Sequence, residues 1–248
     1  MERIRSWLWS VFQKEGFEPG LIGLLFNPYY TIRRRLLQCL RRYAGDITGE
    51  RMLDLGCGSQ PYRHLFDVPE YIGLDVEVSG HDHTTSRIDL FYDGRSIPFA
   101  DGHFDAVLAT EVFEHVSHLD ELIGDINRVI RPGGALLVTL PFVWPEHERP
   151  YDYARYTSYG IVKLLTKNGF EVAGHAKAGN NVETIFQILA AYVWHTVLPT
   201  SPTLKFLLAP LTLAPLHIVG IALGVVLPTD DTLYQCNVVY CRKVGPPR

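Results

Sequence analysis

The apolar residues 52–55 run directly into Gly56-Cys57-Gly58, and this junction constrains the fold more than any other part of the chain. A short apolar run is typical of a buried strand. Two glycines after it let the backbone turn sharply and approach a ligand closely. Asp54, just before them, can hold a cationic or hydroxyl-bearing group. In α/β sheets such a turn binds a nucleotide-like ligand at the carboxyl end of the first strand, so we expect a ligand site here.

Strand and helix patterns alternate from Arg51 onward. Strands are predicted at residues 51–55, 71–75, 87–90, 104–109, 135–140, from 170 and at 233–242, and helices at 62–66, 119–130 and from 157 to about 168. This alternation predicts an α/β fold with a Rossmann-like, seven-stranded, mostly parallel sheet that has helices on both faces.

Two segments depart from the alternation. Residues 1–50 are basic and read as an N-terminal helical extension, with one amphipathic helix at residues 6–14 and another at 30–43. Residues 182–229 form an apolar, helical insertion before the last strand, within a domain that we predict to cover residues 51–248. A single membrane span would place the last strand on the wrong side of the membrane, so a re-entrant or surface-lying hairpin, a helical lid and a dimer interface stay open.

Composition excludes several classes of protein. A net charge of −4 gives no reason to expect nucleic acid as a partner. Four cysteines without metal-ligand spacing favour a reducing compartment, and the start of the chain lacks a signal-peptide pattern. We therefore expect a cytoplasmic protein, with peripheral contact at the inner membrane face through the basic N-terminus and the insertion. The sequence leaves its oligomeric state open.

The glycine pattern separates two kinds of cofactor site. Residues 56–61, Gly-Cys-Gly-Ser-Gln-Pro, lack the third glycine of a dinucleotide fingerprint, which argues against a nicotinamide dehydrogenase. The Asp-x-Gly-x-Gly motif instead resembles the first motif of class I S-adenosylmethionine-dependent methyltransferases. The resemblance continues, in the family's order, at Asp75, residues 97–105, residues 110–116 and residues 128–134. It covers about residues 51–172.

This resemblance implies a role for each matching residue. Gly56, Cys57 and Gly58 would pass under the methionine part of S-adenosylmethionine, and Asp54 would help to hold its amino group. Asp75 would take both ribose hydroxyls.

Three further acids belong to the same expectation. Asp93 or Asp89 would lie near the adenine, Asp93 being favoured by its distance to residues 97–99, although each could simply cap a turn. Glu111 would face the cofactor or the substrate from the end of the fourth strand.

Candidates for a general base follow the fourth and fifth strands. They are His115, which could equally be a helix-start histidine bonded to backbone, and His147, with Glu111 beside them. His147 lies in residues 141–157, which resemble the His-x-x-Pro-x-Asp-x-x-Arg-Tyr-Thr segment of methyltransferases found among bacterial surface-glycan genes. There Asp152 and Arg155 could form a structural pair. Glu114 and His115 could hold a metal with Glu111, but a similar segment occurs in relatives without metal, so we expect no metal.

The sequence thus predicts a methyltransferase that acts on a hydroxyl of a glycan, a lipid-linked sugar or another small molecule. The alternative is a cofactor-binding, membrane-associated adaptor without catalysis. The identity of the acceptor, and methylation on oxygen rather than on nitrogen or carbon, are beyond the motifs.

Overall fold

The computed structural model describes residues 13–78 and 86–247. Within them the strands form one seven-stranded sheet in the order β3-β2-β1-β4-β5-β7-β6. The strands are β1 (Arg51–Leu55), β2 (Glu70–Val76), β3 (Leu90–Tyr92), β4 (Phe104–Thr110), β5 (Ile130–Pro141), β6 (Phe170–Ala178) and β7 (Cys236–Lys243). The predicted Rossmann-like α/β fold is confirmed.

The sheet positions the ligand site through the neighbours of β1. β1 pairs in parallel with β2 on one side and with β4 on the other, and β2–β3 and β4–β5 are also parallel. The chain order therefore reverses at β1. In open α/β sheets ligands bind at the carboxyl ends of the strands flanking such a reversal.

Helices α1 (Leu21–Phe26), α2 (Tyr30–Ala44), α3 (Leu119–Val129), α4 (Ser158–Lys167), α5 (Asn181–Tyr192) and α6 (Pro202–Val226) complete the regular structure. α4 begins where its sequence predicts, because the Thr157 side chain accepts a hydrogen bond from Gly160 N at 3.1 Å. The predicted helix at 62–66 is only the short turn Arg63–Leu65. Most of the amphipathic helix predicted at residues 6–14 lies outside the described residues.

The core beneath the site is built from strand centres and one amphipathic helix. Leu53, Val107 and Leu136 are fully buried, and α3 turns Leu122 and Ile126 into the same cluster. The spacing of four residues places both α3 side chains on one face. This packing holds the ends of β1, β4 and β5 in register, and those ends carry the candidate site.

The described chain divides into two compact units. One contains the sheet, from Leu40 to Ala176 and from Asn237 onward; the other contains the residues up to Cys39 together with Lys177–Cys236. The domain limits of 1–50 and 51–248 with an insertion at 182–229 remain predictions.

The second unit is helical and unusually apolar on its surface. Phe26 and Phe206 stack at 4.6 Å between ring centroids, and Ala209 and Leu213 of α6 are buried nearby. Arg35 of α2 forms an ion pair with the buried Glu183. α6 is long and apolar enough to cross a membrane by length and composition, which is weak evidence taken alone.

Candidate active site

The turn after β1 contains two glycines with different surroundings. Gly56 has φ +66° and donates its N–H to the carbonyl of Leu74 at 2.8 Å. A Cβ at Gly56 would lie 2.4 Å from Val112 Cγ2. Gly58 has φ +47°, and a Cβ there would meet no described heavy atom within 4 Å. Gly56 therefore serves close packing, whereas Gly58 borders open space.

Asp75, at the end of β2, is tied to this turn. Its Oδ2 accepts the Gly58 N–H at 2.9 Å, and its Oδ1 accepts the Val76 N–H at 2.8 Å. The carboxylate is almost completely buried, with 9% of the residue exposed. Two backbone donors fix its orientation beside the open space at Gly58.

Asp54 is buried more deeply and only half satisfied. Its Oδ2 accepts a hydrogen bond from the Tyr71 hydroxyl at 2.7 Å, while its buried Oδ1 has no hydrogen-bond partner among the described residues. Burial raises the pKa of Asp54 to about 7, against the lowering effect of the Tyr71 hydrogen bond, and the charge of Asp75 adds to the rise. An orphaned carboxylate oxygen of this kind is suited to a cationic donor from a ligand.

Cys57 contributes backbone and small size rather than a reactive thiol. Its side chain is buried and its Sγ lies 3.6 Å from the carbonyl of Arg87. Burial, with the neighbouring acids, raises the pKa of the thiol far above its usual range. None of the four cysteines, all of which lie in the described part of the chain, forms a disulfide.

The two candidate adenine acids lie in different settings. Asp89 Oδ2 accepts the Gly73 N–H at 2.7 Å and the Gln60 side-chain amide at 3.3 Å, which places it beside the glycine turn. Asp93 Oδ1 accepts the N–H groups of Arg95 and Ser96 at 2.8 and 2.9 Å. These bonds lower the pKa of the exposed Asp93, the Ser96 bond contributing most. Asp93 thus caps a turn, and its role near adenine stays a prediction.

Glu111 follows β4 in a left-handed conformation, φ +56°. The Thr139 hydroxyl donates to its Oε1 at 2.8 Å, and the Glu111 N–H is bonded to the carbonyl of Thr139 at 2.9 Å. Non-glycine residues at positive φ are uncommon and concentrate at functional sites. β5 therefore holds the Glu111 carboxylate in a fixed position at the sheet edge.

The structure brings the two candidate histidines together. The His115 and His147 rings meet edge to face, with centroids 4.8 Å apart. His115 Nδ1 lies 2.8 Å from the carbonyl oxygen of Tyr151, so Nδ1 donates a hydrogen bond to that carbonyl. Burial is the main reason why the pKa of His147 is lowered, and the neighbouring His115 lowers it further.

An ion pair shapes the loop that carries His147. Arg155 donates to both carboxylate oxygens of Asp152, at 2.5 and 2.7 Å, and Asp152 Oδ2 also accepts the His147 N–H at 3.0 Å. The Arg155 pair is the main reason why the pKa of Asp152 is low. These contacts favour a structural role for the Asp152–Arg155 pair, which shapes the loop.

Glu114 is a residue that the sequence indicated only as one possible metal partner. Its side chain is 1% exposed, and neither carboxylate oxygen has a hydrogen-bond partner among the described residues. Burial, with the charge of Glu111, raises the pKa of Glu114 well above its usual range. The only available signal was its position next to His115, since its burial depends on the loop from β5.

The residues around the turn after β1, Asp54, Gly58 and Asp75, fit the cofactor that the sequence motifs imply. S-adenosylmethionine presents an ammonium group, a sulfonium and a ribose diol. The orphaned Asp54 Oδ1 and the buried Asp75 supply anionic acceptors on either side of the turn, and the open space at Gly58 leaves room for a ligand against the backbone. The donor set and the space suit this cofactor.

Comparison with known proteins agrees with this geometry. A family model described as a methyltransferase domain matches residues 29–182, which is more than half of the chain. The fatty-acid O-methyltransferase of Mycolicibacterium smegmatis (strain ATCC 700084 / mc(2)155) is 32% identical over 181 residues, covering 64% of this chain and 66% of that protein. The chain spans 38% to 66% of the length of three such curated relatives.

Solved structures share the fold at low sequence identity. Phosphoethanolamine N-methyltransferase 2 of Haemonchus contortus, in complex with S-adenosyl-L-methionine, has a TM-score of 0.54 at 18% identity, over 94% of this chain and 57% of that chain. The [4+2]-cyclase SpnF has a TM-score of 0.54 at 21% identity, over 86% and 82%. These likenesses concern the fold alone, since one fold hosts different reactions. The family match and the ordered motifs together show that the chain belongs to the class I S-adenosylmethionine-dependent methyltransferases.

Proposed function

We propose that this protein transfers the methyl group of S-adenosylmethionine to a hydroxyl of a glycan, a lipid-linked sugar or another small molecule, with a lipid-linked acceptor favoured. The observation that carries the proposal is the meeting of His115 and His147 at the end of the sheet where the glycine turn lies. Val112 connects the histidine pair with the glycine turn. It packs against Gly56, and its carbonyl accepts the backbone N–H of His115 at 2.9 Å.

The cofactor supplies a methyl group on a sulfonium, which is already an activated leaving group. Asp54, Asp75 and the Gly58 backbone would hold and orient the cofactor. Holding donor and acceptor in line can supply roughly 7–11 kcal/mol of the barrier. The residues around the glycine turn therefore do most of the catalytic work by positioning.

The acceptor hydroxyl must lose a proton as its oxygen attacks. When bound, S-adenosylmethionine would supply the methyl group and its sulfur would keep the electron pair of the broken carbon–sulfur bond. His147 would take the hydroxyl proton as the oxygen–carbon bond forms. Such base catalysis contributes about 10²–10⁴-fold. His115, with its proton on Nδ1, and Glu111, held by Thr139, would line the acceptor side.

Two observations favour an acceptor carried by lipid. The similar protein of M. smegmatis is named a fatty-acid O-methyltransferase. The helical unit exposes large apolar side chains on α6, among them Leu207 at 62% and Leu211 at 73% exposure, four residues apart on one face. A contiguous exposed apolar face is typical of an interaction surface.

We further propose that this helical unit rests on an anionic membrane surface. Exposed apolar side chains lie on α1 and α6 of this unit, and Arg33 and Arg34 of α2, which belong to the same unit, are partly exposed. Apolar burial and attraction of basic residues to anionic lipid are two weak anchors that act together. The protein would then be cytoplasmic and peripheral at the inner face.

The cofactor part is tested by calorimetry with S-adenosylmethionine. We expect micromolar-range binding by the native protein and its loss in Asp75→Ala, with the matched exposed-acid variant Glu146→Gln unchanged. Absence of binding by the native protein would contradict the proposal. Transfer of a labelled methyl group into a bacterial lipid extract, compared with a water-soluble glycan fraction, tests the acceptor. Binding without turnover in either fraction would favour the adaptor.

The membrane part is tested by flotation with anionic and neutral liposomes. We expect the native protein to float with anionic vesicles, and the double variant Leu207→Glu/Leu211→Glu to remain at the bottom. Tyr159→Glu is the control, because Tyr159 is 87% exposed but lies on α4 in the sheet unit. Equal flotation of all three proteins, or none by the native protein, would overturn this part.

A further inference from the structure

Three potential metal ligands converge after β4 and β5. One ligand atom from each of Glu114, His115 and His147 lies within 4.8 Å of the others. Glu148 adjoins them, with Oε2 at 3.7 Å from His115 Nε2 and Oε1 at 4.0 Å from His147 Nε2. Two imidazoles and two carboxylates therefore face a common point.

Glu114 contributes a buried carboxylate to this point. It is 1% exposed, and both of its carboxylate oxygens are buried without a hydrogen-bond partner among the described residues. Its Oε1 lies 3.8 Å from His115 Nε2, too far for a hydrogen bond. Buried carboxylates in proteins are normally paired or coordinate metals, because an unpaired buried polar group is costly.

His115 is held in the orientation of a ligand. Its Nδ1 donates to the carbonyl of Tyr151 at 2.8 Å, which leaves Nε2 as the ring nitrogen directed toward Glu114 and Glu148. Metal-bound histidines almost always donate their other ring N–H to a carbonyl or a carboxylate in this way.

The two segments that supply the ligands are also fixed to each other. The N–H groups of Tyr153 and Ala154 donate to the Glu114 carbonyl, at 2.8 and 3.3 Å. The ion pair of Arg155 with Asp152, which in turn holds the His147 N–H, braces the same loop. These bonds fix both segments through backbone groups and the Arg155–Asp152 pair. None of them involves a side-chain atom that would bind the cation.

We propose that Glu114, His115 and His147 bind a divalent cation of the zinc class, with Glu148 as the fourth ligand. Two imidazoles with carboxylates suit such an ion better than magnesium or calcium, which prefer oxygen alone. With bonds near 2.1 Å, two ligand atoms on one ion lie at most about 4.2 Å apart. The distances of 3.7 to 4.0 Å fit. The widest separation, 4.8 Å, closes by a small turn of His147, whose side chain is 31% exposed.

This inference replaces the expectation of no metal and deepens the proposed function. Binding of the cation does not depend on the reaction, but its role in catalysis rests on methyl transfer to a hydroxyl at the same site. A cation there would act as a Lewis acid on the acceptor oxygen. The two histidines would then be ligands, and the hydroxyl proton that His147 takes in the metal-free scheme would pass to Glu111, the remaining base candidate.

The test is a titration of the chelator-treated, full-length protein with zinc chloride by calorimetry, without methyl donor. We expect one equivalent to bind, and binding at least about tenfold weaker in Glu114→Gln and in His147→Asn. Glu146→Gln, a side chain of the same loop that is 76% exposed, and His64→Asn, an exposed imidazole elsewhere, are the matched controls and should bind as the native protein does. Cobalt(II) absorption spectra of the same proteins report the ligand set directly.

Stoichiometric zinc binding absent from the native protein, or equal in all variants, would overturn the site. Circular dichroism confirms folding, and His147→Asn, at a half-exposed position, remains informative if Glu114→Gln does not fold. S-adenosylmethionine calorimetry on the same samples separates the two proposals. Cofactor binding without zinc binding overturns only the metal site, and zinc binding without cofactor binding overturns only the methyltransferase proposal.

Discussion

The two glycines of the turn after β1 should respond differently to the same substitution. In Gly56→Ala the new Cβ would lie 2.4 Å from Val112 Cγ2, in addition to the strain of φ +66°. In Gly58→Ala only the strain of φ +47° applies, because no described atom lies within 4 Å. Left-handed backbone costs an L-residue roughly 1–2 kcal/mol. Forcing a methyl group into packed surroundings costs roughly 1–3 kcal/mol more.

We therefore expect Gly58→Ala to destabilise the ligand-free protein by about 1–2 kcal/mol and Gly56→Ala by about 2–5 kcal/mol. At about 2–4 °C per kcal/mol for a chain of this size, thermal melting resolves the two. Gly133→Ala is the control for strain alone, since Gly133 has φ +75° and open surroundings in β5. It should match Gly58→Ala in stability.

Cofactor affinity gives the second readout. Gly58→Ala should weaken S-adenosylmethionine binding by more than tenfold, because its methyl group enters the space assigned to the ligand, while Gly133→Ala should bind like the native protein. A Gly56→Ala protein as stable as Gly133→Ala would refute the packing argument. Native affinity in Gly58→Ala would refute the placement of the cofactor beside that residue.

Three further predictions concern single side chains. Burial raises the pKa of Asp54 to about 7, and a cationic ligand favours its ionised form. Affinity for S-adenosylmethionine should therefore be highest above pH 7 and fall about tenfold from pH 8 to pH 6. Calorimetry should show that this pH dependence is lost in Asp54→Asn. Tyr71→Phe removes a hydrogen bond that lowers the pKa of Asp54, so the same binding midpoint should move to higher pH; an unchanged midpoint would contradict the assignment. Arg155→Lys loses the paired bonds to Asp152 and should lower stability by about 1–2 kcal/mol, with faster amide exchange in residues 144–157 and native exchange in β1.

Most of the sheet was predictable because buried parallel strands read as short apolar runs between turn residues. β1 was predicted at its observed limits, and β4 within one residue. The third strand is Leu90–Tyr92, so only Leu90 of the predicted residues 87–90 lies in it; Asp89 belongs to the preceding loop, where its side chain accepts the Gly73 N–H. β5 begins at Ile130 rather than Ala135: its register shift opposite β4 lets residues 131–134 join the strand, and a pattern of proline and glycines cannot show that.

The site was predictable where one chain segment determines it. Asp54, Gly56, Gly58 and Asp75 lie at strand ends, and strand order brings such ends to one sheet edge. Residue roles that depend on a loop conformation could not be read in this way. Nothing local distinguishes Asp89, bonded beside the glycine turn, from Asp93, which caps a turn. The burial of Glu114 results from residues about forty positions later, whose backbone N–H groups close over its carbonyl.

The position of β7 has a consequence for synthesis. β7 lies between β5 and β6, although it is the last strand of the chain. When a ribosome has completed residue 235, β5 and β6 still lack the partner that lies between them, and each presents an unpaired edge of N–H and C=O groups. The apolar α6, Pro202–Val226, precedes β7 in the chain, so it is synthesised before the sheet is complete. The sheet therefore cannot close until the chain beyond α6 has been synthesised and residues 236–243 have joined β5 and β6.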